Sequence, residues 1–203
     1  MIRCVPRKDF MLASKVNFLR EYLSNPALIG AIAPSGPALA ARMLDGISLT
    51  QAKTVMELGP GTGVFTREIL SRISDSCRFM AVEKNSTFAK RLQSELHSVE
   101  VIDGDAGMLG SMLDERNLEE VDFVISGLPW AAFPGPLQEQ VLSQVSQRLS
   151  PDGCFVTFAY GGIHLLPKAR AFRKQLEKHF SNISKTRTVW RNLPPAFAYQ
   201  CRK

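Results

Sequence analysis

Cysteine and histidine are scarce in this chain of 203 residues, which has four of the first (Cys4, Cys77, Cys154, Cys201) and three of the second. The cysteines stand far apart, with no Cys-x-x-Cys pair and no histidine cluster beside them. That spacing excludes a zinc-finger type of site and a dense disulfide framework, and it fits the reduced thiols of a cytoplasmic protein. No metal site is expected. A long apolar run is also missing. Arg3, Arg7, Lys8 and Asp9 interrupt any signal-peptide core. The charge-free stretch 22–41 approaches the length of a membrane span, but Pro26, Pro34 and Pro37, with Gly30 and Gly36, would break a helix there. Acids are nearly absent from both ends. Residues 1–42 carry six Lys or Arg against two acids (+4), residues 43–165 nine against sixteen (−7), and residues 166–203 ten against one (+9). This segregation points to a polyanionic partner, either nucleic acid or an anionic membrane surface.

What is present is the balance of a globular chain, 45% hydrophobic and 22% charged, with room for one ordinary domain. From residue 54 onward, short apolar runs alternate with helical periodicity. Strands are expected at 54–57, 79–83, 99–102, 121–126 and 154–160, and helices at 65–73, 86–96, near 107–115, 137–149 and 167–180. Repeated β-then-α units of this length imply a parallel sheet covered on both faces. The runs 183–190 and 197–202, separated by Leu193-Pro194-Pro195, read as a closing antiparallel pair. The first 50 residues stand apart as a helical extension to the domain at 51–203. In the expected helix 10–23, Leu12, Val16, Leu19 and Leu23 line one stripe, with Lys8, Lys15 and Arg20 around it. That face suits either a core position or a membrane interface. Ser35 can cap a second helix that has Pro37 in its first turn.

The strongest local signal is Glu57-Leu58-Gly59-Pro60-Gly61-Thr62-Gly63, between an expected strand and an expected helix. Glycines there permit positive φ and let backbone approach a ligand, although dinucleotide-binding domains use similar turns. Three acids favour S-adenosylmethionine. Glu57 can meet the ammonium of a methionine moiety, Glu83 at the next strand end can accept ribose hydroxyls, and Asp105 after the third can accept an adenine amino group. All three fall at successive strand ends, where open α/β sheets bind ligands. The region 54–160 thus resembles the class I S-adenosylmethionine-dependent methyltransferases. That family has a Rossmann-like seven-stranded sheet, mostly parallel with a C-terminal antiparallel hairpin.

The fourth strand runs into Ser126-Gly127-Leu128-Pro129-Trp130, which has the form of the (Asn/Asp/Ser)-x-Pro-(aromatic) loop of methyltransferases acting on amino groups. Backbone carbonyls and the Ser126 hydroxyl can accept N–H bonds from an amine, Pro129 stiffens the turn, and Trp130 offers a face to the substrate. Such positioning supplies much of the rate of an in-line displacement. Tyr160 and Tyr22 can hold a substrate ammonium by cation–π contact.

Over almost its whole length the chain is similar to the soluble bacterial phospholipid N-methyltransferases. The matches are Phe18-Leu19-Arg20, Gly30-Ala31-Ile32-Ala33-Pro34-Ser35, the run from Glu57 to Thr66, Glu83 with Asn85, Gly104-Asp105-Ala106, Ser126-Gly127-Leu128-Pro129, and Thr188-Val189-Trp190-Arg191-Asn192-Leu193-Pro194-Pro195-Ala196. The resemblance implies stepwise methylation of phosphatidylethanolamine towards phosphatidylcholine at the inner face of the cytoplasmic membrane. It assigns cofactor contacts to Pro34, Ser35, Glu57, Gly59, Pro60, Gly61, Thr62, Gly63, Glu83, Lys84, Asp105, Ala106 and Ser126. Relatives methylate other aminolipids such as ornithine lipids. The RNA adenine dimethyltransferases share the glycine turn, but their loop begins with Asn and they carry a further C-terminal helical domain. The implied partners are an anionic membrane surface and an aminophospholipid, rather than nucleic acid.

Overall fold

The apolar runs are uniform instead of alternating, so they need cover on both faces, and they form the middle of a seven-stranded sheet. The computed structural model describes residues 36–192 and 194–203. The strands are β1 (Thr54–Leu58), β2 (Arg78–Glu83), β3 (Glu100–Asp103), β4 (Val121–Ser126), β5 (Leu149–Tyr160), β6 (Asn182–Lys185) and β7 (Ala196–Arg202), and the sheet order is β3-β2-β1-β4-β5-β7-β6. Strands β1 to β5 pair in parallel, while β7 runs antiparallel to both β5 and β6. This is the expected sheet plan of class I S-adenosylmethionine-dependent methyltransferases.

Six helices cover the two faces: α1 (Pro37–Met43), α2 (Val64–Leu70), α3 (Ser86–Glu95), α4 (Leu109–Asp114), α5 (Gly135–Arg148) and α6 (Pro167–His179). Leu39 and Met43 of α1, Phe65 and Ile69 of α2, and Leu92 of α3 pack on Val55, Phe79, Ile125 and Val156. Against the other face, Leu109 and Leu113 of α4, Val141 and Leu142 of α5, and Phe172 and Leu176 of α6 pack on Met56, Met80, Val124 and Phe155. Residues 37–50, on the N-terminal side of the expected boundary, share this core through α1 and the buried Leu49. The helix expected at 10–23 lies outside the described residues. The N-cap position of α1 is Gly36, with Pro37 at the first turn, in place of the expected Ser35. Among the described residues no helix is long and apolar enough to cross a membrane.

Two strands depart from expectation. β5 begins at Leu149, because a register shift against β4 absorbs Pro151-Asp152-Gly153. A Cβ at Gly153 would lie 2.9 Å from the Asp122 carbonyl oxygen, so only glycine passes there. β6 ends at Lys185, short of 190. There the Thr186 hydroxyl accepts the Ala198 N–H at 2.9 Å, a side chain standing in for the ladder, and pairing resumes as the bridge Val189–Ala196.

Candidate active site

The strand order reverses between β1 and β4, and the crevice outside their carboxyl ends is where open α/β sheets take ligands. The glycine turn leaves β1 and the Ser126–Trp130 loop leaves β4, so the sheet brings the two motifs side by side. The Gly127 N–H donates to the Leu58 carbonyl at 2.8 Å, and the Gly59 N–H to the Val82 carbonyl at 2.9 Å. Gly59, Gly61 and Gly63 all have positive φ. A Cβ at Gly61 would meet nothing within 4 Å, so that side of the turn is open, whereas one at Gly59 would lie 2.8 Å from Leu128 Cδ2. Arg67 braces the turn by donating to the Thr62 and Gly63 carbonyls, and the Pro60 carbonyl accepts the Gly63 N–H.

Glu57, on β1 under this turn, is wholly buried. Neither carboxylate oxygen has a hydrogen-bond partner among the described residues. Burial pushes its pKa up to about 8; the buried Thr66 hydroxyl, short of hydrogen-bond geometry, opposes the shift, and the charge of Glu83 adds a little. An orphaned acid of this kind calls for a cation or a donor at the turn. Glu83, at the end of β2, accepts the Gly61 N–H at 3.1 Å and the Asn85 N–H at 2.8 Å. Asp105 accepts the Gly107 N–H at 2.9 Å and the Lys84 ammonium at 2.8 Å, and the bond to Lys84 is the main reason that its carboxyl lies below the usual range. Ala106 opens the short helical turn that Asp105 caps. Gln140 and Gln144 of α5 grip that turn by donating to the Gly107 carbonyl, and Gln144 also accepts the Gly110 N–H at 2.7 Å.

The acceptor loop requires two corrections. Trp130 offers no face to a substrate: it is 2% exposed, stacks on Phe172 at 5.0 Å and meets Phe155 edge-on at 5.9 Å. Its indole N–H donates to Ser126 Oγ at 3.1 Å. That bond, with the Leu128 N–H at 3.3 Å, occupies the acceptor side of a hydroxyl that is itself wholly buried. Ser126 therefore braces the loop and does not face an amine. Counting back from Pro129-Trp130 places Gly127 at the first of the motif's four positions. A Cβ there would lie 2.5 Å from the Gly59 carbonyl oxygen, so that position carries no side chain here. Of the loop's carbonyls, Ser126 accepts the Thr157 hydroxyl at 3.4 Å, Leu128 the Trp130 N–H and Pro129 the Ala132 N–H. The Gly127 carbonyl has no such partner among the described residues.

Two contributors were not expected as site residues, although one of them, Asn192, lies in the matched run 188–196. Gln138 is buried and donates to the Trp130 carbonyl at 2.7 Å and to that of Phe133 at 3.1 Å. Asn192 accepts the Gly36 N–H at 3.1 Å and donates to the Pro194 carbonyl at 2.7 Å, tying the C-terminal loop to the entry of α1. Tyr160 ends β5 on this same edge, half-buried and edge-on to Phe158 at 5.3 Å. Burial raises its phenol above the ordinary value. Tyr22, Pro34 and Ser35 lie outside the described residues.

A family model described as ribosomal RNA adenine dimethylase matches residues 35–119. The chain is also 34% identical over 198 residues to the ornithine lipid N-methyltransferase of Singulisphaera acidiphila, a match covering 96% of each. With that relative, the chain belongs to one family of S-adenosylmethionine-dependent methyltransferases. A second relative of the methyltransferase, a probable ribosomal RNA small subunit methyltransferase A of Methanospirillum hungatei, is 30% identical over 95 residues, 47% of this chain and 35% of that one. The TehB-like S-adenosylmethionine-dependent methyltransferase of Corynebacterium glutamicum shares the fold at 14% identity, with a TM-score of 0.60 over 94% of this chain and 99% of its own. The site fits the cofactor. An unpartnered buried acid and an open glycine turn suit a cationic ligand, and further carboxylates end β2 and follow β3.

Proposed function

We propose that this methyltransferase methylates the primary amine of a membrane aminolipid, with the Gly127 carbonyl receiving the amine N–H. The observation that carries the reading is kinship along 96% of both chains with a lipid N-methyltransferase. The ribosomal RNA family model, by contrast, stops at residue 119, before the acceptor loop begins. Its match therefore speaks for the cofactor half and not for the acceptor.

S-adenosylmethionine supplies an electrophilic methyl on a sulfonium sulfur. Glu57 holds its ammonium, Glu83 the ribose hydroxyls and Asp105 the adenine amino group, while Gly59, Gly61 and Gly63 let backbone come close. The amine must be neutral to attack, so it surrenders a proton first. With the Ser126 hydroxyl occupied by Trp130, the backbone of the Gly127 turn is left to orient the nitrogen. Orientation of that kind raises the rate without any covalent participation by the protein. Glycine at 127 also keeps the position free of a side chain as the nitrogen grows through successive methylations. Phosphatidylethanolamine is the headgroup indicated by the similarity to phospholipid methyltransferases; ornithine lipid is the one in the relative's name.

Purified protein incubated with labelled S-adenosylmethionine, vesicles containing both lipids, and ribosomal RNA tests the reading. Label is expected in lipid, and the methylated species identifies the headgroup. Label in RNA with none in the lipid extract overturns the proposal.

A further inference from the structure

Four large apolar side chains stand exposed among the described residues, and all four lie in loops or short helical turns on one edge of the sheet. Met108 (52% exposed) follows β3, Leu165 and Leu166 (57% and 46%) follow β5, and Trp190 (77%) stands in the connection entering β7. β5 runs parallel to β1 and β4 while β7 is antiparallel, so the end of β5 and the start of β7 share the carboxyl edge that carries Glu83, Asp105 and the acceptor loop. Tyr160 pairs with Ala196, and the Gly161 N–H donates to the Pro195 carbonyl at 2.7 Å, which holds the two loops together. The His164 ring meets Phe197 edge-on at 5.2 Å, and the Lys185 ammonium sits over the same ring at 3.7 Å.

Singly scattered apolar side chains such as Met108, at the β3 end of the sheet, need no explanation, but Leu165, Leu166 and Trp190 on two linked loops do. The segment from residue 166 onward is charged almost wholly with one sign. Lys168, Arg170, Lys185, Arg187 and Arg191 are exposed, and Glu177 is the only acid after Asp152. An indole and two leucines in segments whose exposed charges are lysines and arginines match the headgroup boundary of an anionic bilayer. Against RNA phosphates the leucines would have nothing to bury against.

We infer that the rim formed by Leu165, Leu166 and Trp190, with Arg187 and Arg191 beside it, is a membrane-docking surface that turns the crevice mouth toward anionic lipid. The inference rests on the aminolipid reading and concerns the C-terminal third of the chain rather than the amphipathic segment 10–23.

The two tryptophans separate cleanly for a test, since Trp130 is buried and Trp190 is not. The full chain is mixed with phosphatidylcholine vesicles containing phosphatidylglycerol, with and without brominated acyl chains. Trp190 emission is expected to shift to the blue, lose acrylamide accessibility and be quenched by the brominated lipid. Arg187→Glu with Arg191→Glu is expected to weaken partitioning into anionic vesicles about 30-fold or more, and Leu165→Ser with Leu166→Ser to weaken it further. Methylation of a monomeric short-chain aminolipid should not change in either variant. If Trp190 is shielded from acrylamide before vesicles are added, the rim is covered by the chain's own residues and the inference fails. It fails equally if Trp190 stays accessible on vesicle-bound protein, or if RNA and not vesicles protects it. Protection by vesicles without methyl transfer to any lipid upholds the docking surface and defeats the aminolipid reading.

Discussion

Glu57 ties the stability of this methyltransferase to the chemistry of its site, and the link can be read from pH. Its carboxyl moves from 4.5 when exposed to about 8 in the folded chain. At about 1.4 kcal/mol for each pH unit, that shift amounts to about 5 kcal/mol. The folded protein keeps a proton that the unfolded chain releases above pH 4.5. The contribution is therefore fully present below pH 4.5 and is lost as pH rises toward 8, where the loss rivals the whole stability of a typical domain. Glu57→Gln keeps the shape and removes the titration. In urea melts between pH 5 and 9, the variant is expected to match the parent near pH 5 and to exceed it above pH 8. The parent's extra slope should be about 1.4 kcal/mol per pH unit between pH 6 and 7. Cofactor binding should follow the opposite course. The ammonium needs the ionised carboxylate, so affinity for S-adenosylmethionine measured by calorimetry should rise about tenfold per pH unit over that same range, with release of nearly one proton. In Glu57→Gln both the rise and the proton release should vanish. Equal pH slopes in variant and parent, for stability and for binding, would refute the assignment.

Three further substitutions probe the acceptor side. Ser126→Ala strands the Trp130 indole N–H in the core and should cost about 1–3 kcal/mol in denaturant melts. It should also lower turnover while leaving cofactor affinity within about twofold, because the loop and not the glycine turn loses its brace. Gly127→Ala drives a Cβ against the Gly59 backbone, so cofactor affinity and turnover should fall together; a loss of turnover alone would show that the two turns move independently. Asn192→Ala removes the tie between Gly36 and Pro194 and should cost about 1–2 kcal/mol. Hydrogen exchange should quicken at residues 189–196 if that tie holds the C-terminal loop in place.

Much of the fold was legible because its signals are local and redundant. Five short apolar runs at regular spacing admit little besides a covered parallel sheet, and the glycine turn after β1 marks where that sheet begins its ligand edge. Glu57 stands out in the sequence because it closes the first apolar run directly before the glycine turn, and the structure adds that every residue of its strand is buried. The acceptor loop was not legible, because the direction of a side chain leaving a strand depends on three-dimensional turns that spacing does not encode. An exposed Trp130 over a substrate and a buried Trp130 stacked on Phe172 have the same sequence signature. Only the distant partners, Phe172 on α6 and Gln138 on α5, decide between them. The start of β5 was hidden similarly, since Pro151-Asp152-Gly153 has the composition of a turn yet runs within the strand where the register against β4 shifts.

The charge segregation acquires a structural meaning from the same topology. Glu57 lies buried under the glycine turn, Glu83 accepts the turn's Gly61 N–H, and Asp105 follows β3 with Lys84 bonded to it. The basic C-terminal third wraps the adjoining end of the same edge, where β5, β6 and β7 close the sheet. On the aminolipid reading, acids within the crevice and basic residues along one side of it suit a zwitterion better than a simple polyanion. On that reading, the headgroup's amine lies toward the crevice and its phosphate or carboxylate toward the basic C-terminal loops. Aminolipid headgroups have that polarity, and the phosphodiester backbone of RNA, anionic throughout, does not.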